Sequence, residues 1–470
     1  MGYTVCRGYD IAKTNKIWRI IMKKWIAMLL ILAMALGMAA CAQNAQQPET
    51  TAAPAAQPAE TTAAAETEQQ KEPVTIEFSS WYAAEETTSA TLYAMVKAFE
   101  EKYPWITVNV TEYAYNNLAE QLLVRGAGGT APDVSQVNAG WVAGLVEMDV
   151  LNSMNDILAA DVLNDFYASA NDSFTYDGKV MAGTMIRNPF CMYYNKTLLT
   201  AAGYTEADLK DLSWDKFLQM CKDIAALGKN EDGNVVYGRS LSTALLSGTG
   251  YYFYNDLFAN HAAYADANGN ITFGSQGTID AMTQVQDLVK CGAIAPGLEI
   301  KENRTLFGNG QIGFHFDIAS QKNTFLATSA KGDAYADEIG VCLVPGNVPT
   351  FATDHALVCF KQTEHPEECA LLIDFLTGPE GMAIYTKDLN AICARTSTSE
   401  IDYYKNLNAD MQVFLEAAGT AEGLNAKSSN FDNAMLLIAQ ALQRVTINME
   451  DPATVVNEID GEMKALYGQK

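Results

Sequence analysis

The amino-acid sequence predicts an α/β protein whose doubly wound sheets form two lobes. With 470 residues the chain is too long for one ordinary hydrophobic core, so we expect two. Between residues 74 and 138 the hydrophobic pattern changes in the order strand, helix, strand, helix, strand. This order is typical of a sheet covered by helices, and it predicts a ligand crevice beyond the carboxyl ends of the strands.

Local patterns define these first five elements. Apolar and polar residues alternate over residues 74–79, as they do in a half-buried strand. A helical spacing of apolar residues follows from Leu92 to Tyr103, and it ends at Pro104 because proline cannot continue a helix. The next strand, helix and strand are predicted at residues 106–110, 118–124 and 132–137.

The amino-terminal residues have the pattern of an export signal followed by a tether. Residues 1–40 are predicted to be a signal peptide, and 22–40 form its functional part, with a basic start and a short apolar run. Small residues directly before Cys41 resemble a bacterial lipobox, which implies that Cys41 is lipidated. Residues 42–73 contain nothing large and apolar to bury, so we expect residues 41–73 to be a lipidated, disordered tether.

Composition and motifs exclude several classes of function. The formal charge of −25 argues against nucleic-acid binding, which requires clustered Lys and Arg. The sequence has no GxSxG, HExxH or GxxxxGK[ST] motif, and its nine cysteines form no CxxC pair. We therefore expect no enzyme, no cofactor and no metal. Abundant carboxylates leave a surface glycosidase open as an alternative.

A series of short motifs extends over residues 74–470. After the pattern of residues 74–138, the chain has YYNKTLL, SWDKF, NGQIGF and a late helix beginning with PEECA, at residues 193–199, 213–217, 309–314 and 366–376. In their order and spacing these motifs resemble the family 1 extracellular solute-binding proteins, which are the relatives of maltose-binding protein.

The resemblance implies a two-lobe periplasmic-binding fold of type II-like topology, in which a hinge joins the doubly wound sheets. We expect lobe 1 at 74–187, lobe 2 at 188–338, a return to lobe 1 at 339–390, and a hinge crossing with lobe 2 helices at 391–470. The resemblance also implies a monomeric receptor at the extracytoplasmic face of the cell membrane. Such a receptor closes on a small solute and delivers it to the permease subunits of an ABC importer.

Candidate solute contacts come from the strand ends and from the resemblance. Trp81 and Tyr82 stand just past the first predicted strand, and Asn138 and Trp141 follow the third. Positions that resemble the family's contact sites add five further candidates, Arg187, Asn188, Tyr251, Tyr252 and Asp317. The predicted return to lobe 1 and the late crossing add Asp354, His355 and Arg395.

Each candidate also has a purely structural alternative. Trp81 could pack in the core, Asn138 could cap a helix, and Arg187 could form a salt bridge between the lobes. The aromatic candidates outnumber the cations, which favours a mono- or oligosaccharide, because sugar faces stack on rings and sugar hydroxyls need fixed polar partners. A peptide, a polyamine or another metabolite remains open within the same class of receptor.

Overall fold

The computed structural model describes residues 71–266, 268–423 and 426–469 of the chain. The predicted signal, Cys41 and the tether up to residue 70 lie outside the described residues and stay predictions. The described strands are Val74–Ser80 (β1), Ile106–Glu112 (β2), Val134–Asn138 (β3), Leu151–Asn152 (β4), Thr175–Tyr176 (β5), Lys179–Val180 (β6), Gly183–Arg187 (β7), Cys191–Asn195 (β8), Tyr237–Arg239 (β9), Ile312–Asp317 (β10), Ile339–Cys342 (β11), Phe351–Ala352 (β12), His355–Phe360 (β13), Ile392–Cys393 (β14) and Glu422–Gly423 (β15).

The described helices lie between and after these strands along the chain. They are Ser89–Lys102 (α1), Tyr115–Ala127 (α2), Ala139–Glu147 (α3), Met154–Ile157 (α4), Ala160–Asp165 (α5), Ala168–Ser173 (α6), Lys196–Ala201 (α7), Trp214–Ala225 (α8), Ser247–Tyr252 (α9), Tyr254–Ala259 (α10), Gln276–Lys290 (α11), Ile300–Gly308 (α12), Gln321–Thr328 (α13), Pro366–Thr377 (α14), Pro379–Asp388 (α15), Asp402–Lys405 (α16), Ala409–Thr420 (α17), Phe431–Thr446 (α18) and Pro452–Leu466 (α19). Short 3-10 turns cover Glu206–Leu209, Gly332–Glu338 and Thr396–Glu400.

The first lobe is built on a seven-stranded sheet with the order β14-β7-β13-β3-β1-β2, and β4 pairs with β13. Strand β1 pairs in parallel with β2 and β3, as the alternation of residues 74–137 predicts. Strand β13 pairs with β3 and β7 in the antiparallel sense, and β14 joins β7 at the edge. The sheet is therefore mixed, and only one half of it has the expected parallel order.

The second lobe is built on a four-stranded sheet with the order β11-β8-β10-β9. Only β10 and β9 pair in parallel, because β8 pairs with both β10 and β11 in the antiparallel sense. Each lobe has its own buried core. Phe78 and Leu357 lie in the core of the first, and Phe217 and Phe314 lie in the core of the second. The predicted α/β class with two sheets is thus confirmed.

One predicted lobe boundary is wrong. The return to lobe 1 was expected at residue 339, but β11 (Ile339–Cys342) pairs with β8 and so completes the second sheet. The chain crosses between the sheets in the segment 188–190 and again in the segment 343–354, between β11 and β13. Local sequence could not place the second crossing, because an apolar strand fits the core of either lobe equally well.

Several helices begin at residues that predict helix starts. The side chains of Asn195, Ser213, Ser275 and Asp451 accept a hydrogen bond from a backbone N–H in the first turn of the helix that follows. Such caps stabilise a helix by about 1 kcal/mol each. No helix in the described part of the chain has both the length and the apolar character that a membrane span requires.

Helices α9 and α18 approach each other closely at Gly250. A Cβ atom added there would lie 2.6 Å from the Met435 carbonyl oxygen and 2.8 Å from its Cα, and both atoms belong to the backbone. We expect Gly250→Ala to lower the free energy of unfolding by about 1–3 kcal/mol, because neither backbone can move aside cheaply. Urea unfolding of the purified protein measures this change.

A matched control is available in α19. An added Cβ at Gly461 meets nothing within 4 Å. Gly461→Ala should therefore raise the free energy of unfolding by about 0.5–1 kcal/mol through helix propensity alone. Equal effects of the two substitutions would contradict the close approach of α9 and α18.

Candidate ligand-binding cleft

A cavity of about 740 Å³ lies between the two lobes. Its volume falls in the range of about 300–1,000 Å³ that is usual for small-molecule sites. Residues that follow the carboxyl ends of β1 and β3 form one wall, and residues from α9, α12 and the end of β10 form the other. The crevice predicted beyond the strand ends is therefore present.

Aromatic rings dominate the wall contributed by the first lobe. Trp81 is only 2% exposed, and its ring meets Tyr115, Trp141 and His355 edge-on, with ring centroids 5.4, 5.3 and 5.1 Å away. Tyr115 is 37% exposed, and its centroid lies 5.0 Å from that of the partly buried Trp141. Trp81 thus holds the cluster from behind, while Tyr115 and Trp141 present ring surface to the cavity.

His355 extends this wall as an uncharged group. Burial lowers the pKa of His355 to about 4, so the imidazole is neutral at neutral pH. The Tyr82 hydroxyl can then donate a hydrogen bond to Nδ1, at a distance of 2.7 Å. Tyr82 also stacks on Tyr385, with centroids 6.0 Å apart. These contacts fix the rings of both tyrosines at the cavity wall.

An ion pair organises the wall contributed by the second lobe. Arg304 Nε donates to Asp317 Oδ2 at 2.8 Å, and Arg304 Nη2 donates to Asp317 Oδ1 at 3.1 Å. The Tyr252 hydroxyl accepts from Arg304 Nη2 at 2.7 Å and donates to Asp317 Oδ1 at 3.1 Å. Burial alone would raise the pKa of Asp317, but the charge of Arg304 and the hydrogen bond from His315 hold it well below its ordinary value.

A Ser-His-Asp chain supports this ion pair from behind. Ser240 Oγ lies 2.6 Å from His315 Nδ1, and His315 Nε2 lies 2.9 Å from Asp317 Oδ2. Burial lowers the pKa of His315, so the neutral ring can accept from Ser240 and donate to Asp317. The order of atoms is that of a serine hydrolase triad. Ser240, however, is buried and does not line the cavity, so the chain orients Asp317 and presents no nucleophile to a solute.

The two lobes touch where Tyr251 lies beside Gly140. A Cβ atom added at Gly140 would be 2.8 Å from the Tyr251 hydroxyl, so only glycine allows this approach. The same hydroxyl donates to Asp432 Oδ1 at 2.8 Å. At the other end of α3, the Ser429 backbone N–H donates to Glu147 at 3.0 Å. Helix α3 of the first lobe is therefore seated against the start of α18 in the second.

Eight of the predicted site residues line the cavity, namely Trp81, Tyr82, Asn138, Trp141, Tyr251, Tyr252, Asp317 and His355. Asn138 has a structural role as well, because its Oδ1 accepts from the Gly140 N–H at 3.1 Å and caps α3. Whether these eight side chains contact a solute stays a proposal.

Four predicted site residues do not line the cavity. Arg187 and Asp354 are 2% and 1% exposed, with 3.6 Å between Nη1 and Oδ2, and Arg187 Nη2 donates to the Ala421 carbonyl at 2.8 Å. Asn188 donates to the Thr353 carbonyl at 3.0 Å. Arg395 forms ion pairs with two carboxylates, at 2.7 and 2.5 Å. The sequence predicts these four residues as solute contacts because they lie near the chain crossings. In the structure their side chains pair with neighbouring protein groups instead, because buried polar groups need hydrogen-bond partners.

Among the residues of the cavity wall that sequence reasoning missed are Glu85, Tyr115, Arg304, Tyr385 and Asp432. Tyr115 follows β2 directly, so the rule that selected Trp81 and Trp141 could have found it. Arg304 lies in the middle of α12 and Asp432 in the first turn of α18, and charged residues on helices are usually solvated and carry no signal. Within the described residues, no group of three or more His, Cys, Asp and Glu side chains could hold a metal ion.

Comparisons with known proteins agree with this geometry. Residues 94–412 match the sequence pattern of the bacterial extracellular solute-binding proteins. The maltodextrin-binding protein MdxE of Bacillus subtilis is 25% identical over an alignment 470 positions long, which covers 95% of this chain and 99% of that protein.

Two solved structures show the same fold. The GacH receptor of Streptomyces glaucescens, described with acarbose, superposes with a TM-score of 0.73 at 18% identity and covers 85% of this chain and 100% of its own. UgpB of Mycobacterium tuberculosis, in complex with glycerophosphocholine, superposes with a TM-score of 0.72 at 18% identity and covers 85% of this chain and 99% of its own.

The neutral His355 predicts a pH dependence of stability. The unfolded chain binds a proton at this side chain below about pH 6.5, whereas the folded protein binds it only below about pH 4. The His355 contribution to the free energy of unfolding should therefore fall as the pH drops from 6.5 to 4, by about 3 kcal/mol in total. His355→Gln, which keeps an acceptor for Tyr82, should lose less stability over this range than the parent protein.

Urea unfolding of the ligand-free protein at pH 7 and at pH 4.5 measures this difference. His261→Gln removes an exposed histidine outside the cavity and serves as the control. Identical pH dependence in His355→Gln and in the parent would contradict a neutral, partly buried His355.

Proposed function

The chain belongs to the bacterial extracellular solute-binding proteins, and on that premise we propose that it captures a saccharide in its cleft for an ABC importer. The observation that carries this proposal is the asymmetry of the 740 Å³ cavity. One wall presents aromatic rings, and the opposite wall presents an oriented set of charged and hydroxyl groups. A sugar has C–H faces that suit the first wall and hydroxyls that suit the second.

The side chains of the polar wall are already oriented by hydrogen bonds to one another in the absence of a solute. Arg304, Asp317 and Tyr252 are held by one another at 2.7–3.1 Å. Their orientation costs no further side-chain entropy when a solute binds, which favours tight binding. The similarity to MdxE, a maltodextrin-binding protein, and to GacH, a receptor solved in complex with acarbose, supports the same class of ligand.

Binding in this cleft would be coupled to lobe closure. A solute in the cavity touches Trp141 and Tyr115 on one side and Tyr252 and Arg304 on the other. It makes both sets of contacts only when the lobes are shut, so it selects the closed arrangement. The membrane subunits of the importer would then recognise the closed conformation of the receptor. Lipidation at Cys41 would hold the receptor beside them, which accords with the extracellular family of the chain.

The proposed saccharide site can be tested by ligand-induced stabilisation. A ligand present at 100 times its dissociation constant should raise the free energy of unfolding by about 2.7 kcal/mol. We expect a mono- or oligosaccharide to raise the melting temperature of the soluble protein in a panel of sugars, amino acids, peptides and polyamines, and to be recovered uncleaved. Stabilisation by peptides alone would overturn the saccharide class, and cleavage of the sugar would indicate a glycosidase instead.

The aromatic wall makes a second prediction for the saccharide that binds. Trp141→Ala removes a partly exposed ring from the cavity and should weaken binding about tenfold, because the sugar face loses its stacking partner. Trp105→Ala removes a partly buried ring outside the cavity and should leave the dissociation constant unchanged. Isothermal titration calorimetry on both variants compares the two. A saccharide whose affinity survives the loss of Trp141 would not bind as proposed.

Lipid anchoring makes a third prediction. Cys41→Ala should release the exported protein from the membrane fraction into the medium, because no acyl chains would then be attached to it. Cell fractionation and immunoblotting measure this release, and Cys6→Ala serves as the control. A Cys41→Ala variant that stays with the membrane would show that another segment holds the protein there.

A further inference from the structure

Two carboxylates in the cleft have no cationic partner. Glu85, between β1 and α1, and Asp432, in the first turn of α18, both line the cavity. Neither forms an ion pair with any Lys, Arg or His within the described residues, and Asp432 accepts only the Tyr251 hydroxyl, at 2.8 Å. Burial raises the pKa of each carboxyl, which reflects the cost of keeping a charge there without a counter-ion.

The other charges of the cavity wall cancel in number, because Arg304 and Lys301 balance Asp317 and Glu299. Arg304 is bound by both oxygens of Asp317, although it lies near enough to attract Glu85 weakly. Glu299 and Lys301 are exposed, have opposite charges and are two positions apart at the start of α12. His355 is neutral. The cleft is therefore left with two uncompensated negative charges.

Both carboxylates lie near exposed aromatic rings. Tyr115 lines the same cavity as Glu85 and Asp432, and the charges of both carboxylates add to burial in raising the pKa of its hydroxyl. The Tyr115 ring also adjoins Trp141, with centroids 5.0 Å apart. Ring faces flanked by carboxylates bind ammonium groups well, because the ring quadrupole and the carboxylate charge both attract a cation.

We propose that the solute carries a protonated amine, which binds between Glu85 and Asp432 against the rings of Tyr115 and Trp141. This inference rests on the receptor part of the proposed function and names a charged group of the ligand. Binding of spermidine without binding of any sugar would support the amine and overturn the saccharide. The amine could be carried by an amino sugar or by an aliphatic polyamine, since both offer the same ammonium group. Anionic solutes are disfavoured, because they would add a third negative charge.

The position of the two carboxylates also connects charge with closure. Glu85 belongs to the first lobe and Asp432 to the second. In the empty cleft these carboxylates repel each other and oppose closure. An ammonium group between them attracts both, so the charge of the solute contributes to the choice of the closed state.

A charge-matched set of ligands tests this inference. The probes are di-glucosamine, di-N-acetylglucosamine and cellobiose, which share a disaccharide frame and differ in having charged amines, neutral amides or hydroxyls, together with spermidine. Isothermal titration calorimetry at pH 7 on the soluble protein should give di-glucosamine or spermidine a dissociation constant at least about tenfold below that of either neutral disaccharide.

Two variants and one control locate the effect. Glu85→Gln and Asp432→Asn should each weaken binding of the amine by about 10- to 100-fold, which is the usual value of a hydrogen bond to a charged group. Glu86→Gln removes the same charge one position along, at an exposed residue outside the cavity, and should leave the dissociation constant unchanged. Thermal unfolding of each variant shows whether it is folded.

The outcomes separate this inference from the proposed function. If a neutral disaccharide binds as tightly as both amines or more tightly, the proposed saccharide receptor is supported and the proposal of an amine-bearing solute is overturned. If the amine binds but neither Glu85→Gln nor Asp432→Asn weakens it, the assigned position is wrong. If no sugar, amine or other solute of the wider panel binds, both proposals fail.

Discussion

The buried carboxylate of Asp317 is the constraint on which the polar wall of the cleft depends. It stands at the carboxyl end of β10 with no exposed surface, and an isolated charge in that position would be prohibitively costly. Arg304, Tyr252, His315 and the Ile318 backbone N–H together satisfy its two oxygens. Each donor is thereby fixed in place. The side chains that face the cavity are oriented because Asp317 requires their hydrogen bonds.

The aromatic wall depends in the same way on a side chain that barely faces the cavity. Trp81 packs edge-on against four rings, and its burial stabilises the first lobe as well as the wall. Core packing and a place in the cleft were alternatives for Trp81 in the sequence, and in the structure it has both. Residues at the carboxyl ends of strands commonly belong to the core and to the site, because the crevice begins where the sheet stops.

The buried polar groups beside the crossing segments 188–190 and 343–354 are less completely paired than those of the Asp317 cluster in the cleft. Arg187 and Asp354 approach to 3.6 Å, and the Arg187 guanidinium also binds the Ala421 carbonyl near the β12–β15 pair. Arg187 Nε and Nη1 and one oxygen of Asp354 have no hydrogen-bond partner. The segments that cross between the lobes thus meet in a polar but incompletely paired cluster, whereas both oxygens of Asp317 in the cleft wall are fully paired. Incomplete pairing makes a rearrangement of this region less costly than a rearrangement of the fully paired Asp317 cluster.

The sequence by itself determined the features that depend on neighbouring residues. These include the alternation of β1, the end of α1 before Pro104, the helix caps, and the placement of Trp81, Asn138 and Trp141 beyond strand ends. Only the tertiary structure decided which sheet β11 joins, and that Arg304 and Asp432 reach the cleft while Arg187 and Arg395 do not. Those outcomes rest on pairings between residues distant in the chain. No local pattern records such pairings, because the burial and hydrogen bonding of a charged side chain are set by elements that only folding brings beside it.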